Sequence, residues 1–230
     1  MTPRRPVRSS RAFDVIARCT RYRHRTAILV SASPDVIFEA LRAVTLRDMK
    51  IAWLLGELRY LPSRLSGRMR ASDPDRPFLA ILLEGGTLVL RDDSPHEVIT
   101  GSAAQLQRVH QSPLRFPDEA SFEAFTDPRY QKLFMSIRVA PTGRPHEQWL
   151  VLEHATRPLS RLAARRFAAY WRVIEPMGAF VTWLLLRAVR RRAERAMRAS
   201  AGWRPWPSVC ATPDACASTL PGDERIPDAH

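Results

Sequence analysis

Cysteine is scarce in this chain of 230 residues: there are three, an odd number. Cys19 stands alone, and Cys210 and Cys216 lie in a proline-rich stretch without partner ligands at zinc spacing. That pattern excludes a disulfide framework, and no metal site is expected. A reducing, cytoplasmic setting fits it best. Long apolar runs are also missing. The longest, near Met177–Leu186, falls well short of the about 20 residues that cross a bilayer. The opening of the chain has no unbroken apolar core of a secretion signal, because Asp14 and Arg18 interrupt the only candidate, Ala12 to Ala17. Lysine is nearly absent: Lys50 and Lys132 are the only two among 36 basic residues.

Arginine is what the chain has instead, and the formal net charge is +13. The excess is concentrated. Residues 1–26 carry eight Arg against Asp14 alone, and residues 157–199 carry eleven Arg against Glu175 and Glu194. Basic clusters attract phosphates of nucleic acids or anionic lipids. GC-rich coding would produce the same preference for Arg over Lys. No zinc-finger, basic-zipper or RNA-stacking motif accompanies the charge, so nucleic acid is an unlikely partner.

Residues 1–22 read as a basic flexible arm, and residues 199–230, rich in proline, as a disordered tail. Between them, residues 23–198 hold a regular order of elements. Ala27 to Val30 is a short β-type run. Ser33-Pro34-Asp35 then opens a helix, with Ser33 as the expected cap, Pro34 at the first helical position and Asp35 complementing the dipole. A second helix starts at Thr45, with Asp48 completing a capping-box variant; its apolar face is Ile51, Leu54, Leu55 and Leu58. The apolar segment Pro77 to Glu84 fits strand or helix equally. Two strands flank the turn Asp92-Asp93-Ser94-Pro95, and a short helix lies near Asp118–Phe125. Gln131 to Ala140 and Gln148 to Thr156 form a hairpin around Pro141–Pro145.

A long helix, roughly Pro158 to Arg198, closes the pattern. Ala163, Phe167, Tyr170, Trp171, Ile174, Met177, Val181, Leu185 and Val189 fall on one side, with Arg161, Arg165, Arg172 and Arg190 opposite. Pro176 predicts a kink. Beyond it, Phe180, Trp183 and Leu186 widen the apolar surface, and Arg190, Arg191 and Arg192 make the end basic. These features suit contact with an anionic membrane surface or a partner.

The run Val30-Ser31-Ala32-Ser33-Pro34-Asp35-Val36-Ile37-Phe38, a strand entering a proline-started helix, resembles the START-like, helix-grip (SRPBCC-type) superfamily of polyketide cyclases, allergen-type carriers and lipid-transfer domains. Gln148 to Ala155 followed by the closing helix is similar to that family's last strand and gripping helix. Arg166-Phe167-Ala168-Ala169-Tyr170-Trp171-Arg172 resembles the helix of bacterial members. The resemblance covers roughly residues 22–195. It implies an α+β fold, with a bent antiparallel sheet gripping the C-terminal helix and two small helices after the first strand. It also implies binding of a hydrophobic small molecule, lipid or polyketide-like, with no cofactor. A minority of the family catalyses cyclisation or dehydration.

The hairpin supplies candidate lining. Leu133, Met135, Ile137 and Val139 share one face, and antiparallel pairing turns Leu150, Leu152 and His154 the same way. Glu153 is then expected to point outward, in an exposed pair with Arg138. The expected ligand-binding set is Met135, Ile137, Leu150, Leu152, His154, Phe167, Tyr170, Trp171 and Ile174. His154 and Tyr170 are the only catalytic candidates, as acid or base in a cyclase-like alternative. Each also reads as plain structure: a hydrogen-bonded histidine and a member of the helix's apolar stripe.

Overall fold

The computed structural model describes residues 10–17, 20, 22–65, 73–106, 114–144 and 146–200. Five strands form one antiparallel sheet: β1 (Tyr22–Val30), β2 (Leu88–Asp93), β3 (Glu97–Ala104), β4 (Gln131–Pro141) and β5 (Gln148–Pro158). Their spatial order is β1-β5-β4-β3-β2, so the first strand lies beside the last. The helices are α1 (Arg11–Ala17), α2 (Pro34–Ala43), α3 (Lys50–Leu65), α4 (Phe78–Glu84), α5 (Glu119–Ala124) and α6 (Arg161–Ser200). This is the expected α+β arrangement, with the long C-terminal helix packed on the sheet and smaller helices after the first strand. Residues 201–230, most of the expected tail, lie outside the described residues.

Local signals explain most boundaries. Pro34 opens α2 from an extended Ser33, but the Ser33 hydroxyl makes no capping bond; its backbone carbonyl accepts from Ile37 N–H at 3.0 Å. Thr45 and Asp48 do form the capping box, with the Thr45 N–H donating to Asp48 Oδ2 at 3.1 Å. The ambiguous segment after Pro77 is α4. Phe78 N–H donates to Val44 carbonyl at 2.8 Å, which ties α4 to the end of α2.

The β4–β5 register pairs Met135 with His154, Ile137 with Leu152 and Val139 with Leu150. The same row continues into β1, where His24 opposes His154 and Ile28 opposes Leu150. Strand alternation therefore gives the sheet two distinct faces. On one, Val30, Ile137, Leu150 and Leu152 form the main core with Ile37, Phe38 and Leu41 of α2 and Leu185, Leu186 and Val189 of α6. On the other, Ile99, Phe134 and Ala155 form a second core with Phe122 of α5 and Phe13 and Ala17 of α1.

Within the expected arm of residues 1–22, residues 11–17 are the helix α1 packed on this second core, while residues 1–9, 18, 19 and 21 lie outside the described residues. Phe13 and Ala17 share one helical face by their i, i+4 spacing, and both are fully buried. A charged layer fastens the same face. Glu153, expected in an exposed pair with Arg138, is 2% exposed. Arg25 binds it through two parallel hydrogen bonds of 3.0 Å each, and Arg23 joins at 2.9 Å. Arg23 also reaches Asp14 of α1 at 2.6 Å. A buried carboxylate needs such partners, because desolvation disfavours its charged form. Glu97 is held similarly, accepting from Ser136 and Ser10 hydroxyls, both at 2.6 Å. Arg138 lies within this layer, and burial pulls its pKa below the usual arginine value despite the nearby Glu97.

The helix α6 runs through Pro176 without interruption. Its main-core contacts come from residues after Pro176, while its first turns pack on β1. There Tyr22 meets Phe167 edge-on at 4.9 Å and Trp171 at 6.0 Å. Two residues depart from the expected stripe: Met177 is 48% exposed, and Leu186 is fully buried. No described helix is long and apolar enough to cross a membrane.

Candidate functional site

The sheet is wider than α6. That helix covers the β1 and β5 side, and the other half of the same face is roofed by α2 and α4. Between this roof and the strands lies a cavity of about 410 Å³. Small-molecule sites span about 300–1,000 Å³.

The cavity is built from three apolar faces. Phe38 and Leu41, three apart on α2, point down to the sheet. The helix α4 contributes Leu79, Ala80, Leu82 and Leu83. The floor is Val89 of β2, Val98 and Thr100 of β3, and Met135 and Ile137 of β4. The register explains this floor: Val98 opposes Ile137 and Thr100 opposes Met135, so all four share the inner face.

Polar groups gather toward one edge. Arg42 follows Leu41 on α2, Asp92 comes from the end of β2 and Ser94 from the turn after it. Asp92 is organised by its turn: its carboxylate accepts from the Ser94 N–H at 3.0 Å and the Ser94 hydroxyl at 2.5 Å. Those bonds, with a smaller contribution from Arg42, hold the Asp92 carboxyl below the usual carboxylate pKa. On the floor, among the described residues, the buried Thr100 hydroxyl makes only a long 3.5 Å bond to the Met135 carbonyl. It is therefore available to a better acceptor.

The expected ligand-binding residues fall in separate parts of the fold. Met135 and Ile137 line the cavity. Leu150 and Leu152 are in the main core, 0% and 1% exposed. Phe167, Tyr170 and Trp171 form the aromatic cluster with Tyr22, with Phe167 5.5 Å from Trp171 and 6.0 Å from Tyr170. Ile174 lies on the next turn, half-buried. Of the expected lining, Met135 and Ile137 thus face the cavity beneath α2 and α4.

His154 faces inward, as its alternation requires, but against α6 rather than into the cavity. Its Nε2 lies 3.2 Å from the Thr182 hydroxyl. Burial lowers its pKa to about 4, and the neighbouring His24 adds to that effect, while Glu153 opposes it. His24 contacts the Thr26 hydroxyl at 3.0 Å and Glu175 at 3.8 Å. The imidazole of His154 is neutral near pH 7 and tied to a hydroxyl. Tyr170 and Thr182 are twelve residues apart on α6, roughly 18 Å of helix rise. His154 and Tyr170 consequently do not converge on one space, and neither is among the residues lining the cavity.

Sequence reasoning missed most of the wall. Leu79, Leu82 and Leu83 repeat at i, i+3 and i+4, but Phe78, Ala80 and Ile81 beside them are apolar too, so the spacing does not stand out. Phe38 and Leu41 are three apart on α2, which places them on one helical face. Among the described residues, no group of three metal-ligating side chains comes together. No protein-family description, curated protein or solved structure matches the chain.

Proposed function

We propose that this protein binds or carries a hydrophobic small molecule in the cavity beneath α2 and α4. The observation that carries this reading is the cavity itself: about 410 Å³, with apolar walls and polar groups confined to Arg42, Asp92, Ser94 and two threonines. Burying apolar ligand surface there is favourable by about 25 cal/mol per Å². The edge groups would orient a ligand with one polar or anionic end. The START-like resemblance, with its lipid and polyketide ligands, supports the same class. On the cysteine pattern we place the protein in the cytoplasm.

A cyclase-like enzyme is the weaker reading, because His154 and Tyr170 sit apart and are occupied by Thr182 and by aromatic packing. The test is a titration with an environment-sensitive fluorescent apolar probe, competed by long-chain fatty acids. Saturable binding, lost when Ala80→Phe fills the cavity, is the expected result. Equal binding by the folded Ala80→Phe protein would refute the assignment.

A further inference from the structure

Beyond Pro176, α6 has two faces. Thr182, Leu185, Leu186, Val189 and Ala193 are buried toward the sheet and α2. The opposite stripe, read at 100° per residue, is Val173, Met177, Phe180, Leu184, Arg187, Arg191 and Arg195. It changes along roughly 33 Å of helix from apolar to basic. The start of α3 runs beside it, and the two enclose an open groove of about 650 Å³.

The groove joins two chemistries. Arg47, Lys50, Arg187, Arg191 and Arg195 face it, with Asp48 the one acid in its lining and Arg47 already paired with Asp75 at 2.7 Å. Its apolar side is exposed to solvent: Phe180 is 40%, Trp183 37% and Ile51 53% exposed. Leu54 and Leu58 extend the α3 face at 63% and 66% exposure. The Phe180 and Trp183 rings stack at 6.0 Å, and Arg187 lies 4.5 Å over Trp183. Arg191 donates to the Asp48 carbonyl at 3.3 Å and Arg195 to the Arg191 carbonyl at 3.0 Å. Each bond uses one of five guanidinium donors, leaving most of the fork for a phosphate.

We infer that this stripe and the start of α3 form a contact surface for an anionic lipid bilayer. Exposed aromatic and aliphatic side chains enter the interface while a row of arginines meets lipid phosphates. A nucleic acid would use the arginines but would leave the Ile51, Leu54 and Met177 side chains in water. Of the three cations expected from sequence, Arg191 alone keeps this role. Arg190 is paired with Glu194 at 2.9 Å and Arg192 with Asp48 at 3.3 Å, so Arg187, Arg191 and Arg195 carry the contact.

The test is vesicle flotation of the full chain, using phosphatidylcholine alone and phosphatidylcholine with one third phosphatidylglycerol. Each basic residue at an anionic surface raises partitioning about fivefold. The combined Arg187→Gln, Arg191→Gln and Arg195→Gln protein should bind the anionic vesicles about 100-fold more weakly, on the same reasoning. Phe180→Ser should weaken binding while leaving its salt dependence intact. Ala80→Phe should float like the unaltered protein, since the cavity is separate. Equal binding to neutral vesicles would overturn the inference. So would undiminished binding by the triple variant, which would assign the affinity to the basic N-terminal segment. Selective loss of duplex DNA binding in the triple variant, with flotation unchanged, would mark the groove as a nucleic-acid site instead.

Discussion

Acidification should destabilise this fold through His154 in a way that one substitution removes. The folded pKa is about 4, against about 6.5 in an unfolded chain. A group whose folded pKa is depressed binds fewer protons in the native state, so stability falls as pH drops between those two values. The stabilisation is intact above about pH 6.5 and is progressively lost toward pH 4. The loss is about 2 kcal/mol at pH 5, approaching about 3 kcal/mol at lower pH. Burial is the main cause, and proximity to His24 the second. The assay is urea unfolding at several pH values for the unaltered protein and for His154→Gln, which can still bond to Thr182. The other titratable groups are common to both proteins, so the difference between the two curves isolates His154. The unaltered protein should lose about 2 kcal/mol more than the variant between pH 7 and pH 5. Parallel curves would refute the reasoning, and would mean that water reaches the imidazole freely.

Three further outcomes are expected. Phe13→Ala should cost about 3–5 kcal/mol by thermal or urea unfolding if α1 is docked as described, whereas a flexible arm would show no change. Gly101→Ala should cost about 1–3 kcal/mol, because its added methyl would meet the Phe122 ring at 2.9 Å and Leu90 at 2.8 Å; Phe122→Leu in the same protein should recover part of the loss. Glu153→Gln should weaken the hold of Arg23 and Arg25 on the charged layer, seen as faster amide exchange in α1 with little change in α6.

The sheet was legible because β4 and β5 alternate cleanly. Leu133, Met135, Ile137 and Val139 leave one consistent inward face, and pairing then orients Leu150, Leu152 and His154. The environment of Glu153 was not legible. Its partners, Arg23 and Arg25, come from the first strand, and the cover comes from α1, so burial there depends on contacts 128 residues apart in sequence. The segment Phe78–Glu84 was ambiguous for another reason: with six apolar residues before Glu84, no polar side reveals its period. The cavity beneath α2 and α4 was not legible because its position depends on which half of the sheet α6 covers. Helical periodicity shows that a face is buried, and says nothing about which strands it buries. Beyond Pro176, the wide apolar surface was visible as composition. Its division into a buried face with Leu186 and an exposed one with Met177 and Phe180 follows only from docking.

The most direct measurement is native mass spectrometry of the purified protein, paired with organic extraction of whatever it carries. A cavity of about 410 Å³ beneath α2 and α4 predicts a discrete apolar adduct, or one acquired on incubation with fatty acids, that Ala80→Phe abolishes. A folded protein that runs at its bare mass before and after that incubation would contradict the proposed function.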